Sequence, residues 1–210
     1  KEFKNEKGKL IAPRPKQKFG TDKIIAKIDE FLEHESDDNY FINKLAKELD
    51  AYKVGEARKK ELIEKRQKYQ NNKNIYSLLM QYAAGFGKSN IIGWTALQLK
   101  DLKRNDKYVY DKIMIVVDRL QLRDQMGDKI LNMNVAGKLY IEADNKTKFL
   151  DALKDSTRIV IVNLQKFGAV RQFLSPDVLE KLSNLRIAFL IDEIHRSNTG
   201  DQHDEMVSIF

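Results

Sequence analysis

The 210-residue sequence contains no cysteine, which excludes a disulfide scaffold, a thiolate zinc site and a cysteine nucleophile. Its three histidines, His34, His195 and His203, offer no close metal-ligand spacing. No G-x-S-x-G elbow is present, so a Ser-His-Asp hydrolase has no support. Apolar runs are only a few residues long, as in Ile187-Ala188-Phe189-Leu190-Ile191, and none could cross a membrane as a helix. The stretch Lys1 to Lys9 is charged and lacks the apolar core of a secretory leader. The expectation is a soluble, cytoplasmic protein with no membrane partner.

What the chain does carry is charge. Apolar residues make up 42%, which is ordinary, whereas 33% Asp, Glu, Lys and Arg is high. The net charge of +7 favours a polyanionic partner. Lysine outnumbers arginine by 28 to 10, a bias that surface lysines alone can produce, so charge makes nucleic acid plausible and no more. Residues 1–20 hold seven basic and two acidic groups, 21–50 four and nine, and 51–75 eight and three. Such alternation suits packed helices with opposed faces.

Thr21 is a candidate cap for a helix running to about Glu35, with Ile24, Ile25, Ile28, Phe31 and Leu32 on one stripe. Ile42, Leu45, Ala46 and Leu49 repeat that spacing in a second helix, and a mostly polar third runs from about Gly55 to Gln70. From residue 75 the pattern changes to short β-branched runs alternating with amphipathic helices. Strands are expected at Ile75–Met80, Lys112–Val117, Lys138–Ile141, Arg158–Val162 and Arg186–Ile191. Helices are expected near Lys88–Lys103, Leu120–Met133, Lys146–Lys154 and Ser175–Leu182. Strands separated by helices imply right-handed crossovers and a mainly parallel sheet. The expected fold is therefore α/β in three layers, preceded by a helical N-terminal segment, with the division near residues 1–74 and 75–210.

Parallel sheets place ligands beyond the carboxyl ends of their strands. After the first expected strand comes Gly85-Phe86-Gly87-Lys88-Ser89, opening a helix. Glycines let the backbone curl so that its N–H groups converge on phosphate oxygens, Lys88 can reach the β and γ phosphates, and the Ser89 hydroxyl can ligate magnesium. The usual loop has a further glycine where this chain has Tyr82, so the motif is a relaxed form. A chance G-x-G-K-S in a chain this long is roughly a one-in-a-hundred event. The bland alternative is a glycine-rich strand–helix turn.

A second motif, Asp192-Glu193-Ile194-His195, follows the last expected strand. A nucleoside triphosphatase needs an acidic pair at such a place. Asp192 would hold magnesium through water, and Glu193 would polarise the attacking water. A solvated strand end also favours carboxylates, but two rare motifs at strand ends in the right order favour the triphosphatase.

The stretch from Leu78 to Gly200 resembles the first RecA-like lobe of the motor (R) subunit of type I restriction enzymes, members of helicase superfamily 2. Gln81 to Trp94 read Q-Y-A-A-G-F-G-K-S-N-I-I-G-W, close to that family's first motif. Val117-Asp118-Arg119 with Leu122 and Gln125 fits its V-D-R-x-x-L-x-x-Q. Val162-Asn163-Leu164-Gln165-Lys166-Phe167 resembles its T-T-L-Q-K-F, and His195-Arg196-Ser197-Asn198-Thr199-Gly200 its H-x-S-Q-x-G. Upstream, Pro13-Arg14-Pro15-Lys16-Gln17 looks like the family's opening P-R-x-x-Q, with about 36–72 then a helical insertion.

The resemblance implies an ATP-driven translocase on double-stranded DNA, working with methylation and specificity subunits and with a nuclease domain outside this chain. ATP and Mg2+ are the implied cofactors. By carry-over Gly85, Phe86, Gly87, Lys88, Ser89 and Asn90 would surround the triphosphate, Ser89 and Asp192 the magnesium. Glu193 would complete the hydrolytic site and His195 would couple it to a second lobe. Gln17 would read the adenine edge, since an amide can donate and accept there at once. Asp118, Arg119, Gln165 and Lys166 would face the DNA track and touch phosphates. For Asp118 and Gln165 a plain helix cap is the alternative.

Phe86 replaces the family's usual serine, Tyr82 a histidine and Ile194 a small residue. The chain ends at Phe210, before a second lobe or its arginine finger, so it reads as a piece of a larger motor with little hydrolysis of its own. A competing reading is a nucleic-acid-binding or scaffold module with a degenerate ATPase site. A small-molecule P-loop kinase is the third, and it lacks a visible acceptor site or lid.

Overall fold

The computed structural model describes residues 3–4, 10–37, 39–70, 76, 78–83, 85–117, 140–143, 146–163 and 183–192. The chain forms two compact units, one of residues 1–21 with 83–210 and the other of residues 22–82. The helix α1 (Pro15–Glu33) gives its first two turns to the former and the rest to the latter.

The centre of the larger unit is a four-stranded, all-parallel sheet. A short antiparallel pair, β1 (Phe3–Lys4) and β2 (Leu10–Ile11), belongs to its N-terminal part. Helix α4 (Lys88–Asp101) leads through a hairpin of β3 (Lys103–Arg104) and β4 (Lys107–Tyr108) into β5 (Lys112–Val117). The hairpin turns at Asn105 and Asp106, both at positive φ, a conformation those two residue types tolerate best after glycine. Strand β6 (Tyr140–Ala143), helix α5 (Lys146–Lys154), β7 (Ile159–Asn163) and β8 (Ile187–Ile191) complete it. The spatial order is β6-β7-β5-β8, with Ile113 opposite Ile159 on one side of β5 and Ala188 on the other.

Every residue of β5 is buried, as a strand flanked by two others and covered on both faces must be. Side-chain alternation divides the layers. Met114, Val116, Val160 and Val162 join Phe149, Ala152 and Leu153 of α5 in one apolar cluster. Ile113, Ile115 and Val117 point to the other face, and α4, which has no part in that cluster, packs against β5 and β8. Ile91, Trp94, Ala96, Leu97 and Leu99 of α4 are all buried, so this helix is interior rather than amphipathic. The architecture is the expected three-layer α/β lobe.

Lys112 is buried at the start of β5, and its ammonium donates to the carbonyl oxygens of Ala152 (2.8 Å), Asp155 and Thr157 (2.8 Å). A cation thus closes the C-terminal end of α5, where helix carbonyls lack intrahelical donors.

The smaller unit is helical, with the later part of α1, α2 (Tyr40–Ala51) and α3 (Glu56–Gln70). Its packing is aromatic. Phe31 stacks on Tyr76 at 4.4 Å, Tyr40 meets Phe41 edge-on at 5.0 Å, and the Arg66 guanidinium lies 5.4 Å above Phe41. Glu30 of α1 accepts hydrogen bonds from Lys27, Tyr40 and Lys44.

Two expectations need correction. Thr21 does not start α1. Pro15 occupies the first helical position, where its missing N–H costs nothing, and the Arg14 carbonyl already accepts from Lys18 N–H at 3.0 Å. Thr21 lies inside the helix with its hydroxyl donating to the Gln17 carbonyl at 3.1 Å. The strand expected at Ile75–Met80 is not formed at its described residues: Tyr76 and Leu78–Met80 are irregular, with Leu79 83% exposed. Tyr76 instead spends its ring on Phe31 and Phe41. The expected helices Leu120–Met133 and Ser175–Leu182 lie outside the described residues.

Candidate functional site

The site begins at the turn into α4. Gly85 has φ +72° and Gly87 φ +83°, left-handed conformations that glycine adopts without the penalty of a Cβ. Gly87 is the N-cap residue of α4, and its carbonyl accepts from Asn90 N–H at 3.0 Å and Ile91 N–H at 3.4 Å. Being glycine, the N-cap residue brings no side-chain cap of its own. Backbone donors and the positive end of the helix dipole are thus presented together, which is what a phosphate group needs.

Chain geometry fixes which way α4 points. Its C-cap residue Leu102 accepts from Val109 N–H at 3.0 Å, and Asp111 N–H donates to Arg186 at 2.8 Å, just ahead of β8. The C-terminal end of α4 therefore lies at the starts of β5 and β8. A 14-residue helix is about 21 Å long, so its N-terminus lies toward the carboxyl ends of those strands. Asp192 follows β8 at that same end, and its N–H donates to Val116 carbonyl at 3.0 Å, carrying the β5–β8 pairing one residue further. Phosphate loop and acidic residue sit on one rim of the sheet, as ligand sites do in parallel α/β folds.

Gln17 is 5% exposed and reaches that loop from α1. Its Nε2 donates to the Phe86 carbonyl at 2.7 Å, and its Oε1 accepts from Arg14 N–H at 3.0 Å. The second bond is one half of a capping box, in which the third helical residue reaches back to the N-cap amide. A Cβ on Gly87 would stand 2.4 Å from Gln17 Nε2, so the loop and the amide are packed at a distance only glycine permits. Phe86 is half-buried, with its N–H donating to the Ala83 carbonyl at 3.3 Å.

Of the residues singled out from sequence, Gln17, Gly85, Phe86, Gly87, Lys88, Ser89 and Asn90 come together at the mouth of α4, and Asp192 shares the rim. Glu193, His195, Asp118, Arg119, Gln165 and Lys166 lie outside the described residues. Sequence reasoning missed the Gln17–Phe86 bond. Its partial signal was Pro15 followed by glutamine at the third helical position, which places the start of α1 and hence the amide.

The residues present fit a magnesium-bound nucleoside triphosphate: two left-handed glycines, a helix start with a glycine N-cap that carries Lys88 and Ser89, and a carboxylate at the neighbouring strand end. Among the described residues no group of three or more His, Asp or Glu could hold a metal by itself. No described helix is long and apolar enough to cross a membrane. No curated protein matches the chain as a relative. The family model of the SWI2/SNF2 ATPase matches residues 60–210, and the protein belongs to that family as a helicase-like ATPase lobe.

Proposed function

We propose that this lobe is part of an ATP-dependent double-stranded DNA translocase of the type I restriction R-subunit kind, working with methylation and specificity subunits. The observation that carries the nucleotide half is the left-handed Gly85–Gly87 turn into the N-terminus of α4, on the sheet rim that also holds Asp192. The DNA half rests on family membership, on the net charge of +7, and on the D-R-x-x-L-x-x-Q and L-Q-K-F stretches.

Gly85, Gly87 and Lys88 hold the triphosphate in this reading, and Ser89 and Asp192 hold its magnesium. Bound Mg-ATP supplies a γ-phosphoryl group whose transfer to water releases the free energy that motion uses. Glu193 orients the water, His195 relays the state of the site, Arg119, Gln165 and Lys166 touch DNA phosphates, and Asp118 lies toward the same track without donating to them. Because those contacts are to the backbone, they carry no base sequence.

The test is ATP hydrolysis with and without linear double-stranded DNA, in the chain and in a longer polypeptide carrying the second lobe. The reading expects stimulation by DNA that disappears in Lys88→Ala and Glu193→Gln. Hydrolysis indifferent to DNA would sink the translocase half and leave the ATPase half standing.

A further inference from the structure

We propose that Gln17 is a positioning residue of the phosphate loop, which it serves by fixing the direction of the Phe86–Gly87 peptide. The proposal rests on the reading that this loop binds phosphate. A trans peptide points its carbonyl and the next N–H in opposite directions. Gln17 Nε2 holds the Phe86 carbonyl at 2.7 Å, so the Gly87 N–H, at the opposite edge of the same peptide, points away from Gln17. Gly87, at positive φ, lets this peptide turn in a way that a residue with a Cβ would forbid. A fixed donor in a permissive loop is what the latch provides.

The surroundings of the amide favour that role over recognition of a base. Gln17 is 5% exposed, its oxygen is used by Arg14 N–H, and its nitrogen is bonded to Phe86 and closed on by Gly87. Reading a purine edge would need an accessible donor and an accessible acceptor on the same amide. The arrangement also explains how Phe86 is accommodated. The bond from Gln17 is made to the backbone carbonyl of Phe86, so it does not depend on which side chain stands at position 86.

Loss of one fixed donor to a charged phosphate should weaken binding by about tenfold or more, whatever base is attached. The experiment measures binding of Mg-ATP, Mg-GTP and magnesium tripolyphosphate to the chain, to Gln17→Met and to Lys88→Ala. Hydrogen exchange of the ligand-free proteins is followed at residues 85–89 and in β5 and β7. The latch predicts that Gln17→Met weakens all three ligands by a similar factor and speeds loop exchange, with the sheet unchanged.

A loss confined to preference for ATP over GTP, with tripolyphosphate bound as before, would overturn the latch in favour of base reading. Gln17→Glu guards against a folding artefact: a glutamate keeps the acceptor for Arg14 N–H and loses the donor to Phe86, and it is read by loop exchange alone because its added charge would itself repel phosphate. Loop exchange unchanged in both variants also overturns the proposal. If instead Lys88→Ala binds every ligand as the unaltered chain does, the phosphate-site reading fails, and exchange alone then decides the latch.

Discussion

Gln17 and Phe86 are 69 residues apart in the chain and joined by a 2.7 Å hydrogen bond from amide nitrogen to backbone carbonyl. That bond ties the first turn of α1 to the phosphate loop. It makes the N-terminal P-R-P-K-Q stretch a working part of the lobe that residues 83–210 build.

Gly87 should tolerate no side chain. Alanine there meets a left-handed φ of +83° and places its Cβ 2.4 Å from Gln17 Nε2. The conformational penalty is roughly 1–2 kcal/mol, and relief of the contact requires Gln17 to leave Phe86. Gly87→Ala is expected to lose nucleotide binding by at least about tenfold while Trp94 fluorescence still reports a folded sheet. Calorimetric titration checks the first and urea unfolding the second.

Lys112 holds three carbonyls, those of Ala152 and Thr157 in buried contacts and that of Asp155 in a part-buried one. Lys112→Met keeps much of the volume and removes the donor, leaving Ala152, Asp155 and Thr157 oxygens short of a partner. The expected loss is about 1–3 kcal/mol, seen as a lower urea midpoint with unchanged slope. Trp94, the single tryptophan and 4% exposed, is the probe for this unit.

Glu30 makes the helical unit acid-sensitive. Hydrogen bonding from Lys44, helped by Lys27 and Tyr40, lowers its carboxyl from the ordinary 4.5 to about 2. A depressed carboxylate contributes stability that is fully present above pH 4.5 and is lost as pH falls through about 2. The contribution is on the order of 1–2 kcal/mol after solvent screening. Glu30→Gln should flatten the corresponding limb of an acid titration followed by helical circular dichroism. An unchanged limb would show that the Glu30 cluster contributes nothing measurable.

Much of the lobe was legible because its signals are local. The run Lys112–Val117 is apolar and β-branched over its whole length, as a doubly covered strand must be, and the structure begins and ends it at the same residues. Helix Lys146–Lys154 is likewise found where its periodicity put it. Thr21 has the chemistry of a cap, but Pro15 and Gln17 build the start of α1 about two turns earlier. The β3–β4 hairpin went unnoticed despite the turn chemistry of Asn105-Asp106. Ile75–Met80 has a strand's composition, and tertiary stacking of Tyr76 on Phe31 overrode it. At the site, residue types are readable, but Pro15 and Gln17 signal only where α1 starts, and nothing in the sequence marks the Phe86 carbonyl as the amide's partner.

Asp192 should matter to the metal and little to the nucleotide alone. In Asp192→Asn the magnesium-dependent part of ATP binding is expected to weaken about tenfold, with metal-free binding unchanged. Because the Asp192 N–H bond to Val116 is retained in asparagine, equal losses with and without magnesium would contradict a metal role for the carboxylate.

The most direct test of the account is titration of the chain with fluorescent ATP and magnesium, beside Lys88→Ala. The Gly85–Ser89 loop predicts saturable binding that weakens by at least about tenfold when the ammonium is removed. Binding of equal strength in both proteins, or none by either at millimolar ATP, would contradict the claim that this loop holds the triphosphate.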